Sequence, residues 1–425
     1  MDGVSLAIFG GTPEFNSRVS IFNTIGDEEI AAVTKVMKTG VLSKYIGAKG
    51  QDFMGGPVVR EMDKKFADYF SVKHAIAVNS WTSGLIAAVG AIGVEPGDEI
   101  ILSPWTMSAC AMAVLHWNAI PVFADIDKSD FCLNPTEVRK LITNKTRAIM
   151  AIDIFGQSAQ MEEYRKIANE FNLKIISDSA QAPGAKYNGE YAGTLADIGG
   201  ISLNYHKHIH TGEGGVLFTN DDQLARKLAL IRNHAESVIS EEEASIYTNM
   251  IGYNFRLGEI EAAIAIEQLD KLEKIVIQKE KIANELTNEL IGLKGIELPK
   301  ISKNQRNVFY VYPLVIDPNL LGINRSRIVE ALRAEGVPGL VEGYQNLHLL
   351  PIFQMKKAYG HDGWPWSMRQ SKNYSYKKGS LPIAEELHNN SFIGIGITGL
   401  DFSSKQIKLV GSAFRKVWAN MDSLR

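Results

Sequence analysis

AIMAIDIFGQSAQMEEYRKIANEFNLKIISDSAQAPGA, residues 148–185, holds the pattern that decides the fold. Two short β-rich runs, AIMAID (148–153) and KIISD (174–178), flank a segment whose apolar residues recur at helical spacing. Such alternation marks βαβ units and a mostly parallel sheet. The same alternation extends outward through AIAV (75–78), EIILS (99–103), PVFAD (121–125), GGISL (199–203) and GVLFT (215–219), so an α/β core is predicted from about residue 71 onward. Helix ends are readable between the strands. Asn134, Pro135 and Glu137 supply an N-cap, a first-turn proline and a first-turn acid ahead of residues 138–142.

A chain of 425 residues predicts two domains, or one large α/β domain with an appendage. After Asn254 the pattern becomes one long helical stretch, roughly 258–291, without internal proline. Beyond it lie a strand-like run, VFYVYPLVI (308–316), a helix over 325–335 and a terminal amphipathic helix after Ser403. The expected division is an N-terminal arm (1–25), a large α/β domain (26–275) and a small C-terminal α+β domain (276–425), with 361–379 the most loop-like segment.

Composition narrows the function classes. Hydrophobic residues make up 45% and charged residues 22%, near globular averages, which argues against disorder. A net charge of −3 without a long basic run argues against nucleic acid as a partner. Two cysteines, Cys110 and Cys132, form no C-x-x-C pair, which fits a reducing compartment and argues against structural zinc; neither is expected to be catalytic. The opening MDGVSLAIFGG lacks a basic, apolar secretory pattern, so a cytoplasmic location is expected. Residues 100–124 contain no Asp, Glu, Lys or Arg, but Pro104, His116, Asn118 and Pro121 divide them into a strand, a helix and a strand rather than a membrane span.

Three islands carry chemistry. NSWTSGL (79–85) follows a strand and opens a helix, placing Thr82 and Ser83 with free backbone N–H groups at the positive end of a helix dipole, a setting suited to phosphate. Read alone, it is also an ordinary helix cap. SDSAQAPGA (177–185) sets Asp178 at a strand's C-terminal end, where open α/β sheets bind ligands, with Gln181 three residues on; read alone, Asp178 is also a surface-turn acid. SLNYHKHIHTGEGG (202–215) sets Lys207 among His206, His208 and His210, which lack carboxylate or cysteine partners at metal-ligand spacing, so no metal is expected. Together the islands offer an amine for an aldehyde, a carboxylate for a ring nitrogen and donors for a phosphate, the three requirements of pyridoxal 5'-phosphate.

On these residues the chain resembles the DegT/DnrJ/EryC1/StrS group of sugar aminotransferases. Further support comes from Gly40-Val41-Leu42, GVEPGDEIIL (93–102), AIPVFADID (119–127), GYNFRLGEIEAAIAIEQL (252–269) and LPIAEEL (381–387). The resemblance implies a type I pyridoxal-phosphate-dependent transferase fold, a mostly parallel sheet sandwiched by helices with a smaller C-terminal α+β domain. It implies that Lys207 is the Schiff-base lysine, its register fixed by Ser202 before it and Gly212-Glu213-Gly214-Gly215 after it. It also implies Asp178 as the pyridinium partner, Gln181 packed against the cofactor, and Thr82, Ser83 and Ser202 as phosphate donors. Asn254 would reach the phosphate of a neighbouring subunit, making the smallest active unit a homodimer with shared sites.

Two residues depart from the family pattern. Trp81 replaces a common glycine before Thr82, so either the loop approaches the phosphate differently or the indole shapes the substrate pocket. Met107 stands where an aromatic ring often stacks on the cofactor, with Trp105 two residues earlier either compensating or packing in the core. The implied reaction moves an amino group from glutamate to a keto sugar, of the nucleotide-linked kind that serves surface polysaccharides or modified sugars. The segment 363–387 somewhat resembles a branch that aminates keto-cyclitols such as scyllo-inosose, for which glutamine is the donor. The group also includes sugar 3-dehydratases in which histidine replaces the lysine, and a non-catalytic regulator of the same fold would be expected to lose Lys207 or Asp178; both are present.

Overall fold

A computed structural model describes residues 5–368 and 375–425. Residues 1–4 of the expected arm, and 369–374 within the 363–387 segment, lie outside the described residues. The seven runs read from sequence become seven strands of one sheet: β1 (His74–Val78), β2 (Glu99–Leu102), β3 (Ile120–Phe123), β4 (Thr146–Ile152), β5 (Lys174–Asp178), β6 (Ile198–Ser202) and β7 (Gly215–Thr219). Their spatial order is β1-β7-β6-β5-β4-β2-β3, with β7 antiparallel to both neighbours and the other pairings parallel. Nearly every residue of these strands is buried because helices cover both faces, which is why they read as continuous apolar runs.

Helices α1 (Asp27–Thr39) and α2 (Pro57–Phe70) precede the sheet, and α3 (Trp81–Ala91), α4 (Ala109–His116), α5 (Pro135–Leu141), α6 (Met161–Phe171) and α7 (Asp222–Arg232) lie between or after its strands. Asn134 caps α5 as read, its side chain accepting from Thr136 N at 2.9 Å. One face of the sheet packs on α3, α4, α6 and α7, and the other on α2 and the first half of α8 (Glu259–Leu290). The charge-free stretch 100–124 is accounted for by β2, α4 and β3, and no helix among the described residues is long and apolar enough to cross a membrane.

The 32-residue α8 runs about 48 Å at the usual rise and joins two cores. Its later residues Ile282, Leu286 and Leu290 pack on a second, antiparallel sheet of β8 (Ile296–Glu297), β9 (Tyr312–Ile316), β10 (Leu340–Glu342) and β11 (Phe392–Ile395), ordered β8-β9-β11-β10. Helices α9 (Arg325–Ala334) and α10 (Ser404–Ala419) complete this core, and Leu6 and Phe15 of the arm join it. Leu347, Phe353, Trp366, Tyr376 and Leu381 instead pack with the first core, so the C-terminal half of the chain touches both. At the junction the buried Lys279 donates to Ile397 O (2.9 Å) and Leu400 O (3.1 Å) and sits over the Phe22 ring at 3.6 Å. Burial pushes its amine down to about 7.

Candidate active site

Strands β1, β5 and β6 end at one edge of the sheet, and the turns leaving their C-terminal ends enclose a cavity of about 230 Å³. Trp81, Thr82, Met107, Asp178, Gln181, Ser202 and Lys207 all line it, together with Ser80, Thr106, Asn204, His206, Glu213, Tyr310 and Tyr344. Larger cavities of about 450 Å³ beside Asp125 and His348, and about 520 Å³ between α1, α2 and α8, lack this set of groups. Chemistry rather than size selects the site.

Lys207 lies on the turn between β6 and β7, its backbone N–H donating to Asn204 O at 3.0 Å. The ammonium stands 4.6 Å from the centroid of Tyr310, and no hydrogen bond or ion pair engages it among the described residues. Burial lowers its amine to about 8, opposed by the negative charge of Asp178 and by Cys110. A neutral amine at near-neutral pH is the form that attacks an aldehyde. Two of the flanking histidines are engaged elsewhere: His208 is buried and its Nε2 faces Val308 O at 2.8 Å, and His210 Nδ1 accepts from Gly212 N at 3.4 Å, whereas the exposed His206 lines the cavity. Burial and then the Lys207 charge push His206 down to about 4, so it is neutral at physiological pH. Among the described residues no group of three or more His, Cys, Asp or Glu side chains is placed to hold a metal ion.

Asp178 ends β5 and is 5% exposed. Its Oδ1 accepts from Trp81 Nε1 (2.6 Å) and Ala180 N (3.0 Å), and its Oδ2 from the Cys110 thiol (2.9 Å). Burial, with Asp178 nearby, raises the Cys110 thiol well above its ordinary range, so it remains a protonated donor. The turn after Asp178 is held by Asp153, which accepts from Ala159 N (2.7 Å), Ser177 Oγ (3.0 Å) and Ser179 Oγ, and whose own carboxyl burial raises to about 6. Gln181 accepts from Phe155 N at 2.9 Å and donates to the Tyr344 hydroxyl at 3.2 Å.

The helix-start island behaves as a cap and as a cavity wall together. Ser80 caps α3 by accepting from Ser83 N at 3.1 Å, and its hydroxyl lies 2.9 Å from that of Ser83. Thr82 is exposed at the mouth, whereas Ser83 is buried and does not line the cavity. Ser202 lines it and accepts from Asn204 N at 3.2 Å. Asn254 is exposed and lies outside the cavity of its own chain, although its backbone carbonyl accepts from Asn79 Nδ2 at 3.4 Å, one residue before Ser80. Met107 is 60% exposed at the rim. Trp105 is fully buried, packed edge-on against Phe392 at 5.2 Å and Phe155 at 6.0 Å, so it belongs to the core and not to the cavity wall.

The donor set fits pyridoxal phosphate. A disengaged amine, a buried carboxylate with acceptor capacity left on Oδ2, and hydroxyls at a helix N-terminus share one cavity. Sequence reading missed Cys110, Tyr310 and Tyr344. Cys110 meets Asp178 from the start of α4, and the two tyrosines arrive from later in the chain, all through tertiary packing that no local pattern announces.

The DegT/DnrJ/EryC1/StrS aminotransferase family matches residues 23–395, most of the chain, and the protein belongs to this family. It is a pyridoxal-phosphate-dependent aminotransferase of α/β fold. It is 34% identical to GDP-perosamine synthase of Caulobacter vibrioides over 317 residues, 72% of this chain and 84% of that one. It is 28% identical over 434 residues, 99% of each chain, to a putative L-glutamine:3-amino-2,3-dideoxy-scyllo-inosose aminotransferase of Streptoalloteichus tenebrarius. Among solved structures, DesV of S. venezuelae aligns with a TM-score of 0.76 and 27% identity, covering 92% of this chain and 94% of that one.

Proposed function

We propose that this aminotransferase carries an amino group from glutamate to a keto sugar borne on a nucleotide diphosphate, with Lys207 as anchor and proton carrier. The observation that carries the reading is the pairing, in one cavity, of a disengaged Lys207 amine with the buried Asp178 carboxylate. When bound, pyridoxal phosphate supplies an electron sink that makes the substrate carbon acidic. Asp178 keeps the ring nitrogen protonated. Lys207, once released by the amino donor, moves the proton between the two carbons, a task matched to an amine lowered to about 8. Thr82 and Ser202, with N–H groups at the start of α3, hold the phosphate, and Gln181 packs beside the ring. Asn254, exposed on its own chain, serves the site of a second copy, so the working unit is a cytoplasmic homodimer. Arg256, two residues after Asn254, is the cation assigned to meet a diphosphate near the subunit boundary. The GDP-sugar product named for the Caulobacter relative supports a nucleotide-linked acceptor, in the making of a polysaccharide or modified sugar.

A keto-cyclitol acceptor with glutamine as donor is the second reading, favoured by end-to-end alignment with the scyllo-inosose relative. The Lys207 amine argues against the histidine-dependent dehydration. One assay separates the acceptors. The enzyme is converted to its amino form with L-glutamate or L-glutamine and then offered nucleotide-linked 3-keto and 4-keto sugars or scyllo-inosose. Recovery of the visible absorbance with a nucleotide-linked sugar supports the first reading; recovery with scyllo-inosose alone overturns it.

A further inference from the structure

Trp81 is the first residue of α3, yet its ring does not point to the cavity mouth. It turns down onto the sheet, where the glycines at 84 and 200 make room for it. A Cβ at Gly84 would come within 2.8 Å of the indole, and one at Gly200 within 2.5 Å. Gly200 is the register partner of Asp178 on the adjacent strand. The slot therefore delivers the indole to the carboxylate, where Nε1 donates to Oδ1 at 2.6 Å while Trp81 is 6% exposed.

An indole N–H only donates and does not titrate near neutrality. Among the described residues, Oδ1 already accepts two donors, the indole and Ala180 N, whereas Oδ2 accepts only the weaker Cys110 thiol. Oδ2 is thus the oxygen with acceptor capacity left for a further N–H. The terminal torsion of an aspartate is broad, so the carboxylate plane is fixed by its partners rather than by its own rotamer.

We infer that Trp81 is a positioning residue: its indole pins Oδ1 of Asp178, so that Oδ2 is presented to the ring nitrogen of the cofactor. This rests on the reading of Asp178 as the ring-nitrogen partner. A short hydrogen bond to an ionised acceptor is among the stronger neutral-donor contacts, so its loss is expected to slow the half-reaction with L-glutamate roughly 10- to 100-fold.

The test uses W81F, which keeps an aromatic ring and removes the N–H, alongside D178N and the double variant. Pyridoxal phosphate affinity is measured with the natural cofactor and with an analogue carrying C–H in place of the ring nitrogen. W81F should slow the half-reaction and weaken natural-cofactor binding. It should also bind the C–H analogue as wild type does, and add little in the D178N background. An equal W81F penalty with the analogue, or a fully additive one in D178N, overturns the positioning role, because the indole would then only pack. A normal rate in W81F with a slow D178N also overturns it and leaves the Asp178 reading intact. A normal rate in D178N removes that reading itself. If W81F does not fold, benzothienylalanine at position 81, which keeps the ring outline without the N–H, runs the same comparisons.

Discussion

Lys207 offers a pH prediction whose size follows from its surroundings. Burial over Tyr310 lowers its amine from 10.5 to about 8. At pH 7 an amine with a midpoint of 8 is about 9% neutral and one with a midpoint of 10.5 about 0.03%, so the site gains roughly 300-fold in reactive amine. The sign is fixed because burial disfavours the charged form, so capture of the aldehyde rises with pH and levels off above the midpoint. Cofactor-free protein mixed with pyridoxal phosphate in a stopped-flow spectrometer between pH 6 and 10 reports the capture rate through the visible band. A midpoint near 8 is expected, and Lys207→Ala should abolish the band. A midpoint close to that of an ordinary lysine, or an unchanged profile in Lys207→Ala, would refute the reasoning.

Gly200→Ala places a Cβ 2.1 Å from Val216 O and 2.5 Å from the Trp81 ring, and should cost about 3 kcal/mol, seen as a lower melting temperature; an unchanged melting temperature refutes the slot. His208 is buried with a midpoint of about 3 against 6.5 when unfolded, so the unfolded chain binds more protons between these values and stability falls as pH drops through that window. His208→Gln should flatten this acid-side loss in thermal melts, and an identical slope counts against it. Asn254→Ala should weaken cofactor retention about tenfold in dialysis while leaving the visible band of loaded enzyme in place; full retention would remove Asn254 from the site.

The strands were legible because a doubly covered parallel sheet needs continuous apolar runs, and all seven runs fell within two residues of their observed limits. Asp178 at a strand end and Lys207 between a strand and a glycine-rich return were legible from the pattern, whereas Ser202 entered through the family resemblance; all three line one cavity. Tertiary direction was not legible. For Trp81 the sequence leaves open an altered phosphate loop or an indole shaping the substrate pocket, and the space left by Gly84 and Gly200 sends its ring to Asp178. Ser83 faces Ser80 rather than the cavity because helical spacing turns it inward from Thr82. For Trp105 the sequence leaves open a substitute stacking ring or core packing, and the neighbouring Phe131, Phe155 and Phe392 draw it into the core. Cys110 read as inert, since nothing local to a helix start announces an acid reaching it from β5.

The lysine that holds the cofactor fixes every other role in the cavity. Reduction of the loaded enzyme with borohydride, followed by peptide mapping, identifies it directly. The adduct should lie on Lys207 and on no other lysine; an adduct on a different lysine, or none at all, would contradict the assignment on which the site is built.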